Sequence, residues 1–377
     1  MLKFTTHTSK DFEAVIGELT FRKEPFYRRS HKILFTDKAG LDGLGYLALL
    51  SEKVPKDSLF LPQMAGEISR QDKDSLNQGD IISVTGAGEV SVLWTALSNH
   101  NCLLLTEACN CRCLMCPQPP KERDERLFKI ASMVLDLLKG KNVETICLTG
   151  GEPTLFEDNF LKILERCLIE QPNAHVSVLT NAKKFIDKGL VKEIAALNNG
   201  QVIFCVSMHS DIAQIHDKIV GAPGSYAKTQ EGLYNLAQYK IPIEIRYVIN
   251  KLNYTRINEF ALHMYRYFPF CIHYALMSME ICGLAIDNLD SIYVDPIDYK
   301  IELRNAVLAL TKRGLNVSVY NTPICLCHED IHKYSRKSIS TWKNNYLSQC
   351  RVCQEKENCC GFFSTSAIHS RAISPVM

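Results

Sequence analysis

Four cysteines lie within eight positions of the stretch TEACNCRCLMCPQPP, residues 106–120. Cys109, Cys113 and Cys116 have the spacing C-x3-C-x2-C, and Cys111 lies in the spacer. Three thiolates on one short loop suit three irons of a cubane iron–sulfur cluster, whose fourth iron stays open for a ligand that is not protein. A zinc site would need a fourth protein ligand, either Cys111 or a distant residue. A buried or disulfide role is the remaining alternative.

A second feature lies at the end of the next apolar stretch, LTGGEPTLF, residues 148–156. Gly150 and Gly151 let the backbone approach a ligand closely, and a proline that fixes the turn follows Glu152. By itself this pattern is also an ordinary strand-to-helix turn. Directly after the three cysteines, it indicates a binding loop.

The two motifs together resemble the radical S-adenosylmethionine (radical SAM) superfamily. The resemblance implies a [4Fe–4S] cluster on Cys109, Cys113 and Cys116, with S-adenosylmethionine on the open iron. It implies reductive cleavage to a 5′-deoxyadenosyl radical that abstracts hydrogen from a substrate, chemistry that the cofactors carry. By the same resemblance, these residues contact S-adenosylmethionine: Gly150, Gly151, Glu152, Asn181, Ser207, His209 and Arg246.

Four of these contacts have weaker support, namely Asn181, Ser207, His209 and Arg246. A purely structural role fits His209 and Arg246 equally well, although a guanidinium suits a carboxylate. The chain departs from the family pattern at two positions. Met115 replaces an aromatic residue before the third cysteine and still offers an apolar surface. Cys111 is interpreted as a bystander.

A second cysteine group follows near the C-terminus, with Cys350, Cys353 and Cys359 in the spacing C-x2-C-x5-C. Cys325 is the preferred fourth ligand over Cys327, and Cys360 competes with its neighbour Cys359. Four thiolates hold an iron–sulfur cluster or zinc equally well, and a site without metal is the third alternative. The spacing resembles the auxiliary-cluster extension of peptide-modifying radical SAM enzymes, which favours a second cluster.

The elements that position these residues follow from the apolar pattern. Residues 1–100 have the pattern of short strands separated by turns, such as the turn at 40–45. This pattern predicts a small β-rich domain. Residues 101–290 alternate apolar strands with helical stretches, six times. Continuous apolar strands are typical of a parallel sheet buried on both faces. The expected fold is α/β, a partial (β/α)6 barrel, with a cysteine-rich extension over 291–377.

Composition limits the function classes. The chain has 377 residues, 46% hydrophobic and 22% charged, with a formal net charge of +2. That charge argues against nucleic acid as partner. Neither a membrane-spanning run nor a signal-peptide core is visible, so a cytoplasmic location without membrane association is expected. Sixteen cysteines in a reducing compartment indicate metal ligands.

Further motifs narrow the resemblance. LMCPQPP, HDKIVGAPGSY, MEICGLA, WKNNYL and CGFF together resemble the radical SAM maturases of the His-Xaa-Ser system. This implies an oxidoreductase that modifies a small, ribosomally made precursor peptide, with an electron donor and a second radical SAM maturase as partners. The β-rich domain is a hypothetical docking site for the peptide. The alternatives are a radical SAM enzyme acting on RNA or a small metabolite, and a non-catalytic cluster-binding partner of another maturase.

Overall fold

The computed structural model describes residues 3–5, 7–8, 14–36, 43–52, 65–337, 344–366 and 368–377. The predicted turn at 40–45 falls partly outside these ranges, as do Trp342 and Lys343 of WKNNYL. The described residues divide into two compact units. Unit 1 comprises 1–104, 125–147 and 166–174, and unit 2 comprises 105–124, 148–165 and 175–377.

Unit 1 is built on a mixed sheet. Its described strands are β1 (Lys3–Thr5), β2 (His7–Thr8), β3 (Val15–Thr20), β4 (Lys32–Phe35), β5 (Ala48–Ser51), β6 (Ala65–Glu67), β7 (Ile81–Val84) and β8 (Glu89–Trp94). Their order in the sheet is β1-β8-β7-β3-β4-β5-β6-β2. Alternating apolar residues close a core around Leu19, Ile33 and Leu50, each fully buried. The strands predicted over the first 100 residues are therefore present.

The remaining strands begin with β9 (Asn101–Leu104) and β10 (Thr145–Thr149). Unit 2 then contains β11 (His175–Thr180), β12 (Val202–Ser207), β13 (Ile243–Ile249), β14 (His273–Ser278), β15 (Val317–Tyr320) and β16 (Ser335–Arg336). From β11 to β16 each strand pairs in parallel with the next, for example Ser207 with Arg246. Parallel strands in chain order require crossovers, and helices provide most of them.

The helices are α1 (Arg70–Lys73), α2 (Arg126–Leu138), α3 (Glu157–Glu170), α4 (Lys188–Leu197), α5 (Ala213–Val220), α6 (Ser225–Gln238), α7 (Ile257–Tyr267), α8 (Leu284–Asp287), α9 (Leu289–Ile292) and α10 (Lys300–Thr311). The predicted α/β fold with a parallel sheet is confirmed. The helix α5 was not predicted. It ends at Gly221, whose φ of 60° is the left-handed conformation that glycine adopts easily at helix C-termini.

One face of the parallel sheet is covered by helices. Tyr247 of β13 packs against Phe260 of α7 with ring centroids 4.2 Å apart, and Phe204 of β12 packs against Phe185 at 5.0 Å. Along β13 buried residues alternate with partly exposed ones. Since successive side chains of a strand point to opposite faces, Glu244, Arg246 and Val248 lie on the face away from α7.

No helix in the described ranges is long and apolar enough to cross a membrane.

Candidate active site and second cysteine site

The first cysteine loop is fixed by backbone hydrogen bonds to the GGE loop. The N–H of Gly151 donates to Thr106 O at 2.7 Å, and the N–H of Glu152 donates to Ala108 O at 2.8 Å. A Cβ on Gly151 would lie 2.4 Å from Ala108 O, and one on Gly150 would lie 2.5 Å from Thr106 O. Neither distance is sterically possible, so the glycines are required for this contact.

The other side of the cysteine loop is held by two further glycine-containing segments. Arg112 N–H donates to Val220 O at 2.9 Å, and a Cβ on Gly221 would lie 2.3 Å from Arg112 O. Leu284 N–H donates to Cys116 O at 2.9 Å beside Gly283, whose φ is 55°. Glycine there allows both the close approach and the left-handed backbone. This explains Gly221 of HDKIVGAPGSY and Gly283 of MEICGLA.

The three predicted ligands are partly buried thiols on one loop. Burial raises the pKa of Cys113 to about 12 and also raises the pKa of Cys116. For Cys109, a hydrogen bond with Cys111 and burial both raise the pKa. Free thiols of this kind stay protonated near neutral pH, and metal binding is what displaces such protons.

Cys111 lies in a different environment from the three predicted ligands. It is 3% exposed, with Ser225 Oγ at 3.9 Å, Lys183 Nζ at 3.4 Å and Asn181 Nδ2 at 3.6 Å from its sulfur. The hydrogen bond with Cys109 and the charge of Lys183 lower the pKa of Cys111 to about 6. Its sulfur is thus engaged by the loop after β11 and by α6.

Met115 contributes to an apolar cluster with Ile219 and Ala285, against which Val248 and Met279 pack. The side-chain amide of Asn250 lies 3.7 Å from the Met115 sulfur. Met115, directly before Cys116, therefore places a buried thioether where the resemblance predicts an aromatic side chain. Because Val248 packs against this cluster, the face of β13 that points away from α7 is the face that meets the cysteine loop.

Glu152 is 1% exposed and fully hydrogen-bonded. Its Oε1 accepts from Thr154 N–H at 3.1 Å, Thr154 Oγ1 at 2.6 Å and Thr180 Oγ1 at 2.8 Å, and its Oε2 accepts from Asn181 N–H at 2.7 Å. Burial raises the pKa of Glu152 despite these donors. The carboxylate therefore joins the GGE loop to the end of β11.

The four weaker candidates occupy different environments. The amide of Asn181 donates to Asn110 Oδ1 at 2.7 Å, next to Cys109. Ser207 ends β12 and is partly exposed. His209 is 3% exposed, and its Nδ1 accepts from Val248 N–H at 3.3 Å, which is the role of a structural histidine. Arg246 Nε donates to Glu244 Oε1 at 2.6 Å, so this guanidinium is paired with a carboxylate of its own strand.

The second cysteine group surrounds a small cavity whose wall includes Cys325, Cys350, Cys353 and Cys359. Backbone N–H groups are directed at two of the sulfurs. Those of Ile324 and Gly361 lie 3.4 and 3.3 Å from Cys359 Sγ, and that of Val376 lies 3.3 Å from Cys353 Sγ. Such hydrogen bonds to sulfur are a feature of protein-bound iron–sulfur clusters.

The competing cysteines are outside this cavity wall. Cys327 is 2% exposed and receives a contact from Ser335 Oγ at 3.8 Å, and Cys360 is 5% exposed. A hydrogen bond from Cys360, followed by the N–H groups of Gly361 and Ile324, lowers the pKa of Cys359 to about 6. Of this pair, Cys359 is the one that lines the cavity.

Within the described ranges, no group of three or more His, Cys, Asp or Glu side chains is close enough to hold a metal ion. Thiolates bind both iron–sulfur clusters and zinc.

Sequence reasoning missed several residues of this region. Lys183, whose Nζ donates to Asn110 O at 2.9 Å, holds the cysteine loop from the β11 side. Gly221 and Gly283 hold it from the other sides. The glycines were visible inside the quoted motifs. No local pattern marks the lysine, since it acts across more than 70 positions.

The comparisons with known proteins agree with this geometry. The model of the Radical SAM superfamily matches residues 103–263. An uncharacterized protein of Methanocaldococcus jannaschii is 30% identical over 172 residues, 44% of this chain and 58% of that protein. A probable GTP 3′,8-cyclase of Thermococcus kodakarensis is 31% identical over 157 residues, 39% of this chain and 46% of that protein. The chain covers less than two thirds of either relative.

Two solved structures show similarity at low identity. SuiB of Streptococcus suis bound to S-adenosylmethionine has a TM-score of 0.49 at 16% identity, over 66% of this chain and 55% of that one. anSMEcpe with bound AdoMet and the Kp18Cys peptide has a TM-score of 0.49 at 15% identity, over 73% of this chain and 91% of that one.

Residues 103–263, fewer than half of the 377 residues, match the model of the Radical SAM superfamily. Proteins of that superfamily use a [4Fe–4S] cluster and S-adenosylmethionine. The three cysteines predicted as cluster ligands, Cys109, Cys113 and Cys116, lie within the matched residues.

Proposed function

We propose that this protein is a radical SAM enzyme that modifies a ribosomally made peptide with His-Xaa-Ser repeats. The observation that carries the proposal is the pair of backbone hydrogen bonds that fix the three-cysteine loop on the GGE loop. A ligand of the open iron would lie against the Gly150–Glu152 backbone at the end of β10. When bound, the cluster and S-adenosylmethionine supply a 5′-deoxyadenosyl radical that abstracts hydrogen.

The residues of the chain orient and shield this chemistry. The N–H of Gly151 fixes the position of Thr106, and the N–H of Glu152 fixes that of Ala108, beside Cys109. The apolar residues around Met115 offer a wall next to Cys116 from which water would be excluded once a substrate is bound. Exclusion of water protects reactive species from side reactions.

The peptide substrate is supported by the second cysteine group. Its cavity gathers four thiols, as expected for the auxiliary cluster of peptide-modifying enzymes. We propose that Cys325, Cys350, Cys353 and Cys359 hold that cluster. An electron donor and a second radical SAM maturase complete the proposed system.

The test is anaerobic co-expression of the chain with a His-Xaa-Ser repeat peptide, followed by mass spectrometry of the peptide. We expect a mass change with the wild-type chain and with the control Cys102→Ala, which alters an exposed cysteine. Cys113→Ala should abolish the change. An unmodified peptide beside a cluster-loaded wild-type chain and the partner maturase would contradict the proposal.

A small-metabolite substrate is the second candidate, since a relative is named a probable GTP 3′,8-cyclase. The two readings differ in what stimulates formation of 5′-deoxyadenosine. Stimulation by the peptide but not by GTP favours the peptide maturase. The reverse favours the metabolite, and no 5′-deoxyadenosine at all favours a non-catalytic partner.

A further inference from the structure

One wall of the second cysteine cavity comes from residues 370–376, which we call the strap. Ser374 and Pro375 of the strap line the cavity together with the cysteines. Burial raises the pKa of the Cys325 thiol, and a backbone hydrogen bond from Ser374 acts against this increase. The strap itself forms neither a helix nor a strand, so specific contacts rather than regular secondary structure hold it in place.

The strap is also hydrogen-bonded to the segment that carries the other cysteines. The N–H of Val376 lies 3.3 Å from Cys353 Sγ, and the N–H of Gln354 donates to Val376 O at 2.9 Å. Gln349 Nε2 donates to Ile373 O at 3.2 Å. A hydrogen bond between neutral groups contributes little net stability, because water offers the same bond to an open strap. The closed position therefore needs a stronger anchor.

Asp295 provides this anchor at the start of the strap. Asp295 is 6% exposed, and its Oδ1 accepts from Ser370 Oγ at 2.5 Å. Its Oδ2 accepts from Arg371 N–H at 3.0 Å and lies 3.2 Å from Arg371 Nη1. Burial raises the pKa of Asp295, but these bonds and one from Ile297 N–H outweigh it and hold the pKa below its usual value. Hydrogen bonds to a carboxylate are about twice as strong as those between neutral groups.

The strap contacts some cysteines of this region and not others. Cys325 and Cys353 line the cavity and are bonded to the strap. Cys327 and Cys360 are buried and line no part of that cavity. Movement of the strap would therefore expose the first pair and leave the burial of the second pair unchanged.

We propose that the strap closes the second cysteine site and that Asp295 is the positioning residue that keeps it closed. Release of Ser370 and Arg371 from Asp295 frees the strap and opens the cavity to small molecules from the solvent. The inference concerns access to the thiols and holds whether the site binds an iron–sulfur cluster, zinc or no metal, so it goes beyond the proposed function. For a bound cluster, solvent exposure and hydrogen bonds to sulfur are among the factors that set the reduction potential.

The test is the rate at which iodoacetamide alkylates each cysteine of the full-length, reduced, metal-free chain, resolved by mass spectrometry of its peptides. Asp295→Ala should accelerate alkylation of Cys325 and Cys353 by about 3- to 10-fold, the change in population that loss of a hydrogen bond produces. Cys327 and Cys360 should react at unchanged rates. Asp295→Asn keeps one acceptor oxygen and should recover part of the protection.

Asp136→Ala is the matched control. Asp136 pairs with Arg166 at 2.8 Å and belongs to unit 1, whereas the strap belongs to unit 2. This variant also removes an aspartate–arginine pair and should leave all four alkylation rates unchanged. Equal rates for Cys325 and Cys353 in wild type and Asp295→Ala overturn the proposal.

A general loss of structure in Asp295→Ala would accelerate all four cysteines alike. In that case Arg371→Ala decides, because the Arg371 side chain is 62% exposed and its removal leaves no buried charge unpaired at that position. Acceleration confined to Cys325 and Cys353 in this variant supports the strap. No acceleration, or a uniform one, overturns it.

A second measurement separates the strap from the proposed auxiliary cluster. In a chain with Cys109, Cys113 and Cys116 replaced by Ala, the rate of iron release to a chelator reports on the second site. Adding Asp295→Ala should accelerate this release by about 3- to 10-fold, and equal release overturns the strap. If the triple variant holds no iron after anaerobic reconstitution, the auxiliary cluster is overturned, and the alkylation rates still decide the strap.

Discussion

The N–H of Glu152 donates a 2.8 Å hydrogen bond to the carbonyl oxygen of Ala108, the residue before Cys109. This bond joins the two motifs that define the candidate active site. The cysteine loop and the GGE loop are thereby one structural unit, and a change in either one displaces the other.

Gly151→Ala should prevent cluster assembly. The added Cβ would lie 2.4 Å from Ala108 O, so the cysteine loop must move, at a cost of about 1–3 kcal/mol. We expect iron bound by the first site to be lost and the melting temperature to fall, measured by iron content and calorimetry. Gly189→Ala is the control, because its Cβ would meet only the flexible Asp187 side chain at 3.0 Å. Full iron content in Gly151→Ala would contradict this reading.

Cys113→Ala and Cys111→Ala should differ in iron content. Cys113 is a proposed ligand, whereas the sulfur of Cys111 is engaged by Lys183 and Asn181. The first variant should lose the iron of one cluster and the second should retain it. Iron and sulfide analysis after anaerobic reconstitution decides. Loss of a cluster in Cys111→Ala would make Cys111 a ligand.

Substitutions of neighbouring cysteines at the second site should differ in their effect on its iron content. In a background with Cys109, Cys113 and Cys116 replaced by Ala, the remaining iron reports on this site alone. Cys325→Ala and Cys359→Ala should then lose iron, because both residues line the cavity. Cys327→Ala and Cys360→Ala should keep it, with lower stability from the buried volume removed. If Cys327→Ala and Cys360→Ala lose iron and the other two variants keep it, Cys327 and Cys360 are the ligands instead.

Two buried histidines should make the fold acid-sensitive. Burial lowers the pKa of His209 to about 3 and that of His216 to about 4, from an ordinary value near 6.5. Their stabilising contribution is present above pH 6.5 and is lost as the pH falls towards these values, because the unfolded chain binds the protons first. When the pH falls from 6.5 to 5, each histidine should lower the free energy of unfolding by about 2 kcal/mol.

Urea unfolding of the cluster-free chain at pH 7 and pH 5 measures this effect. The free energy of unfolding should differ between pH 7 and pH 5 by about 2 kcal/mol less in His216→Gln than in wild type, since glutamine does not titrate. His175→Gln should leave it unchanged, because His175 is exposed. An unchanged difference in His216→Gln would show that His216 is solvated in the folded chain.

The strand and helix pattern was predictable because it is local. Apolar runs such as QVIFCVSMH, residues 201–209, indicate buried parallel strands, and β12 (Val202–Ser207) lies within that run. The spacing of Cys109, Cys113 and Cys116 is likewise a local property, which placed three thiols on one loop. The helix α5 was missed, since eight residues between a strand and Gly221 give too little periodicity.

The sequence by itself determined the alternation of strands and helices along the chain, the two cysteine groups and the motif that follows β10. The tertiary structure decided that Cys325 rather than Cys327, and Cys359 rather than Cys360, lines the second cavity. A shift of one or two residues along the chain exchanges a buried environment for an accessible one. The tertiary structure also brought Glu244, His273 and Ser318 together. These residues are separated by 29 and 45 positions, and pairing of parallel strands, which no local pattern encodes, makes them neighbours.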